Sequence, residues 1–247
     1  MSPRVATVSE AAERLGVLPQ RVRALAQAGE LGAVRAGGIW LIDADSLAKR
    51  ELMAGLGVTA ASTRPWSRSM AWAAMRFLDD DAALLSHLDR KGRYRLRQRL
   101  REPDPARLLS AVRNRARVLR VSVHPSRAAR LRRLVVPSGV TGAGMHGVGL
   151  TGDDAVDGYL SADALAVARD ALQVRDSATG VHLLRLVDDG QLLEDLGVAP
   201  RLAVAADLLD HAVKNGAVDG RVVSALRALL AEVTSSPSAS SSCSFRH

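Results

Sequence analysis

Residues 7–42 read TVSEAAERLGVLPQRVRALAQAGELGAVRAGGIWLI, and two helices and a hairpin can be laid on them. Ser9 can cap a first short helix whose apolar stripe holds Ala12 and Leu15. Gly16 then offers a left-handed stop. Pro19 suits the first position of a second helix running to about Gln27. Val22 and Leu25 face inward there, which leaves Gln20, Arg21, Arg23 and Gln27 on the outer faces. Gly37-Gly38 lies between the apolar runs 33–36 and 39–42 and signals a hairpin. Asp43 caps a third helix, Asp45 to Leu52.

Two short helices, a glycine turn, a hairpin and a closing helix are the plan of a winged helix-turn-helix. The residues Ala11-Ala12-x-x-Leu15-Gly16-Val17, Val22-Arg23-x-Leu25, Gly29-x-Leu31 and Gly37-Gly38-x-Trp40 resemble the small DNA-binding domain of the excisionase and MerR-like families. The resemblance covers about a fifth of the chain and implies a partner, double-stranded DNA. A recognition helix buries one stripe and offers polar side chains to the major groove. Gln20, Arg21 and Arg23 lie near the N-terminus of the second helix, where Arg can pair with guanine and Gln with adenine. Gln27, Arg35 and Trp40 complete the expected DNA-facing set, with Arg35 on the wing tracking a phosphate or entering the minor groove. Leu18 stands where those families often carry Ser or Thr, and the missing cap should cost about 1 kcal/mol. A helix-turn-helix kept as a protein-binding scaffold is the alternative, since a fold does not by itself prove a function.

Outside this stretch the composition sets bounds. Of 247 residues 47% are apolar but only 3% aromatic, so the core must be Leu, Val and Ala, which favours helices. No apolar run nears the roughly 18 residues of a membrane span. Cys243 is the single cysteine, which excludes an intrachain disulfide and a cysteine-based zinc site. With no signal-peptide pattern at the N-terminus, a cytoplasmic location is expected.

The net charge of +8 is unevenly distributed. Residues 90–135 hold 16 basic and 2 acidic groups, residues 1–89 are balanced, and residues 136–247 are net acidic. Arginine suits bidentate phosphate contacts, although Arg-rich, Lys-poor usage also follows from a GC-rich genome. The clustering is therefore the informative part. Residues 90–101 read as a basic helix, on which the four-residue spacing of Arg93, Arg97 and Arg101 places them on one face with Leu96 and Leu100 toward the core. Such a stripe would grip DNA phosphates, the acidic C-terminal half, or the carboxylates of a partner.

The expected fold class is α+β: a winged helix-turn-helix at 1–54, a linker at 55–66, a helical basic connector at 67–117, a mixed α/β second domain at 118–233 for a partner or dimerisation, and a disordered Ser-rich tail at 234–247. Within it, 118–123 and 181–187 read as strands and 163–172, 200–213 and 221–233 as helices. The order, with RYRLRQRLREPDPARLLSAVRNRA leading to HPSRAARLRRLVVPSG, DGYLSADAL, VHLLRLV and APRLAVAADLLD, resembles the abortive-infection type IV antitoxin family. That resemblance implies autorepression of a promoter and a toxin protein partner; a homodimer is the other expected partner. An excisionase-like architectural role and a nucleic-acid enzyme with a catalytic second domain are the alternatives.

Gly142-x-Gly144-x-x-Gly147 matches a dinucleotide fingerprint literally, but Gly149 and Gly152 follow, so a loop is expected rather than a helix opening on a pyrophosphate. His124, His146, His182 and His211 show no ligand spacing, and Asp188, Asp189, Glu194 and Asp195 read as a solvated acidic loop. No catalytic residue, metal or cofactor is expected.

Overall fold

The computed structural model describes residues 5–56, 64–151, 154–215 and 220–235. It opens with a small head: β1 (Val5–Thr7), α1 (Val8–Leu15), α2 (Pro19–Gln27), β2 (Ala33–Ala36), β3 (Ile39–Asp43) and α3 (Ala44–Gly55). The three strands form an antiparallel sheet in the order β1-β3-β2. The cap of α1 is Thr7 and not Ser9: the Thr7 hydroxyl accepts from the Glu10 N–H at 3.2 Å, and the Glu10 carboxylate accepts from the Thr7 N–H at 2.7 Å. This reciprocal pair satisfies two helix-end donors, and the extended residues before it are free to form β1, which periodicity alone does not predict. Gly16 (φ 63°) ends α1 in the left-handed region, and Gly37 and Gly38 (φ 55° and 82°) turn the hairpin. Val22, Leu25 and Ala26 of α2 pack with Ala11, Ala12, Leu31, Ile42 and Leu47 into a core of the head's own.

The rest of the chain forms a larger body. Helix α4 (Arg68–Leu78), a 3-10 turn (Ala83–His87), α5 (Arg90–Arg99) and α6 (Pro105–Ala111) precede the first body strand. There follow β4 (Arg117–Ser122), α7 (Pro125–Arg132), β5 (Val136–Pro137), α8 (Gly139–Met145), β6 (Asp157–Ser161), α9 (Ala162–Leu172), β7 (Arg175–Asp176), β8 (His182–Val187), a second 3-10 turn (Gly190–Leu193), α10 (Arg201–Asn215) and α11 (Gly220–Ser235). The sheet runs β5-β6-β8-β4-β7, with β6 parallel to β8 and the other pairs antiparallel. All six residues of β8 are buried, as a central strand covered on both faces requires.

Two cores lie in the body. One holds Val121, Leu131, Leu160, Leu165, Leu172 and Leu184 under α7 and α9. The other is formed by α4, α5, α6, α8, α10 and α11, and it also takes in Leu52 and Met53 from the end of α3. The segment 67–117 thus lends its apolar side to the same core as α10 and α11, and so does the last turn of the head.

Three further sequence expectations need correction. Residues 139–145 of the glycine-rich run are helical (α8), because Gly149 lies beyond the helix end at Met145. Glycine is needed there for close packing rather than for a phosphate: a side chain at Gly142 would meet Val204 of α10 at 3.0 Å and the Pro137 carbonyl at 3.2 Å. Within the connector expected to be helical at 67–117, residues 83–87 form a 3-10 turn. Helix α5 ends at Arg99, so Arg101 stands outside it. Of the expected linker, 57–63 lie outside the described residues, as do Gly152 and 236–247 of the Ser-rich tail; Thr234 and Ser235 are helical.

Candidate nucleic-acid interface

In α2 the sequence alternates burial in the way a docking helix needs. Val22 and Leu25 are 0% and 3% exposed. Gln20, Arg21, Arg23 and Gln27 are all exposed. Leu18 caps α2 without a side-chain hydrogen bond and is 74% exposed, and Pro19 occupies the first turn, where a missing N–H is harmless. Among the described residues neither Arg21 nor Arg23 has an ion-pair partner. The charge of Arg21 reaches Arg50 on α3: burial first, then Arg21, lowers the Arg50 guanidinium, against the pull of Glu30 at 3.8 Å. Cations thus crowd this side of the head.

The hairpin presents Arg35, which is exposed, directly across from Trp40. Trp40 is half-buried against the core of the head, so its ring is fixed by packing. Val34 and Ile39 flank them at 61% and 64% exposure. Sequence reasoning does not single out Leu18, Val34 or Ile39 as part of this face; a surface-turned apolar residue is visible only once the pairing register is known.

The basic stripe is not assembled as expected. Arg93 is half-buried, and its guanidinium donates to the Leu88 carbonyl at 2.9 Å and the Leu85 carbonyl at 3.4 Å, closing the end of the 3-10 turn. Arg97 is exposed on α5. Arg101, beyond the helix end, lines a separate cleft with Arg99 and Arg107. Leu96 and Leu100 are buried as their spacing implies.

Other arginines of the body are committed inward. Arg185 and Tyr159 pair across β8 and β6, and with Asp157 they project toward α10, where Asp207 is fully buried. The Asp207 carboxylate takes an ion pair from Arg115, another from Arg185 at 2.7 Å, and the Ser138 hydroxyl at 2.5 Å. Arg185 also pairs with Asp157, and Arg115 donates to the Tyr159 oxygen at 2.7 Å. Burial pushes the Tyr159 phenol well up and lowers Arg185. Burial opposes charge on Arg115 too, but Asp207 and its neighbours hold that guanidinium well above its usual value. On the rim, burial would raise Asp210, but Lys49 at 2.7 Å and Arg115 at 3.3 Å outweigh it and bring the carboxyl to about 2. Lys49 belongs to α3, so this pair ties the head to α10.

His182 is buried, and its Nδ1 accepts from the Val156 N–H at 2.9 Å. Asp188 pairs with Arg68, and Asp189 caps the second 3-10 turn. Among the described residues no group of three or more His, Cys, Asp or Glu could hold a metal ion, and no helix is long and apolar enough to cross a membrane.

Residues 7–50 match the family model of a helix-turn-helix domain. The match spans α1, α2, the hairpin and the first half of α3, the elements that display Arg21 and Arg23. The chain therefore carries an N-terminal helix-turn-helix domain, a DNA-binding class, within a mixed helix-and-strand protein. No curated protein and no solved structure matches the chain.

Proposed function

We propose that this protein is a regulator that binds a specific site on double-stranded DNA. The observation that carries it is the division of α2: one stripe closes the core of the helix-turn-helix head, and Gln20, Arg21, Arg23 and Gln27 stand exposed on the other faces. Gln20, Arg21 and Arg23 contact base edges in the major groove from the first turns of α2. The β2–β3 hairpin acts as a wing. Arg35 meets the backbone or the minor groove, with Trp40 as its packed support and Val34 and Ile39 against sugar edges. Leu18, at the helix start, is placed to touch a thymine methyl. Arg97 adds a phosphate contact from the body, and Arg101 a second one; Arg93 contributes through the fold of α5.

The narrower role is that of an antitoxin-like autorepressor, with a toxin partner or a second copy held by the body. Its support is the order of elements, a DNA-binding head followed by a mixed body. The protein acts in the cytoplasm and carries out no catalytic step.

Selection from a random duplex pool tests the DNA reading. One enriched sequence should bind at least a thousandfold more tightly than bulk duplex, by roughly the margin usual for specific sites at physiological salt. Replacing Arg97 and Arg101 with Ala should flatten the slope of log affinity against log salt by roughly 0.9 for each phosphate that the variant no longer neutralises. No enrichment would point instead to a head that binds protein. Sequencing the gene beside this one and co-expressing its product tests the toxin partner.

A further inference from the structure

Beside α5 and α6 lies an open cleft of about 670 Å³, lined by Arg64, Trp66, Arg99, Arg101, Glu102 and Arg107, among others. We propose that it binds a ligand with an unpaired base and a phosphate, of nucleotide size. Small-molecule sites run from roughly 300 to 1,000 Å³, so the volume suits one nucleotide or two.

The charge is one-sided. Arg64, Arg99 and Arg101 with Arg107 outnumber the two carboxylates, Glu102 and Asp104, and the Asp104 carboxylate also accepts the Arg107 backbone N–H at 2.7 Å, as the cap of α6. Arginine forks fit phosphate oxygens in pairs. The floor supplies an aromatic ring. Trp66 is half-buried against the body core, its backbone N–H donates to the Ala111 carbonyl at 2.9 Å, and the Arg99 guanidinium lies 5.7 Å from the ring centroid. A base entering here stacks on the indole or on the guanidinium plane above it. Duplex DNA keeps its base faces inside the stack and cannot offer one to Trp66. The cleft therefore suits a free nucleotide or a single-stranded end, and it is distinct from the duplex-reading face of α2.

The test is tryptophan fluorescence of the full-length protein titrated with ATP, a thymidine tetranucleotide and inorganic pyrophosphate. Saturable quenching by ATP or by the tetranucleotide is expected, and which of the two binds more tightly identifies the source. Arg99→Ala with Arg101→Ala should weaken it at least tenfold. Trp66→Phe should abolish the quench while Trp40 and Trp72 still fluoresce and the circular dichroism spectrum stays native. Three results would each overturn the proposal: no saturable quench from either ligand, equal affinity in the double Arg variant, or pyrophosphate binding as tightly as ATP. None of them bears on duplex recognition by Arg21 and Arg23.

Discussion

Arg21 and Arg23 in the head, and Arg115 and Arg185 in the body, are one residue type under opposite conditions. The first two stand in water on α2 without an ion-pair partner among the described residues. The other two are 4% and 2% exposed and share the buried carboxylate of Asp207. A guanidinium in water keeps its charge available to an incoming anion. A guanidinium out of water must be neutralised where it stands, because desolvation costs several kcal/mol per ion. The high arginine content thus takes two forms, side chains left in water at the head and along the outer side of α5, and internal cross-linking in the body. Arg93 belongs with the second group despite its place in the basic run, since it is half-buried and its Nη1 donates to the Leu85 and Leu88 carbonyls.

The strongest way to break this contrast is Asp207→Ala. It leaves two buried guanidiniums without their shared partner and should cost about 3–5 kcal/mol, read as a fall in the urea midpoint. A loss below about 1 kcal/mol would mean that Arg115 and Arg185 find water, and the body would then differ little from the head. The converse experiment is Arg21→Ala and Arg23→Ala. Each should cost about 1–3 kcal/mol of affinity for the selected duplex and leave the urea midpoint unchanged, as expected of side chains that hold nothing together. Unaltered affinity in the double variant would remove α2 from the interface.

The junction between the two regions gives a smaller, pH-dependent effect. Asp210 sits at about 2 in the folded protein, below its ordinary value of 3.8. Because the folded value is depressed, its contribution is present above pH 3.8 and is lost as pH falls from there toward 2. About 1–2 kcal/mol should disappear over that window and be missing from Asp210→Asn, with Lys49→Met showing most of the same loss. A stability curve of Asp210→Asn parallel to that of the parent protein across this acid window would dissociate the head from α10 electrostatically. The smallest effect concerns the head alone: Thr7→Ala removes one side of the capping box and should lower stability by about 1 kcal/mol. A matching loss from Ser9→Ala instead would return the cap to Ser9.

The head is largely legible in the sequence because its signals are local. The alternation in α2, the Pro19 start, the Gly16 stop and the Gly37-Gly38 turn are each decided within a few residues. The exposure of Gln20, Arg21, Arg23 and Gln27 follows from period alone once Val22 and Leu25 are placed inside. What stays hidden there is the choice between Thr7 and Ser9, since either can cap and the decision depends on β1 pairing with β3. In the body the strand at 182–187 and the long helices are visible for the same local reason. The stripe Arg93, Arg97 and Arg101 misleads, because spacing places residues on a helix face but not where the helix ends, nor which carbonyls lie within reach.

From its residues alone this chain determined a helix-turn-helix head with a polar exposed face, a strongly basic middle and an apolar body built from Leu, Val and Ala. Only packing in three dimensions decided that Arg115, Arg185, Asp157 and Asp207 meet, that the glycines at 139–145 form a helix against α10, and that Trp66 floors a cleft of arginines. The physical reason is range: capping, periodicity and turn chemistry act over a few residues, whereas a buried charge is stable only beside a partner that the chain brings back from many residues away.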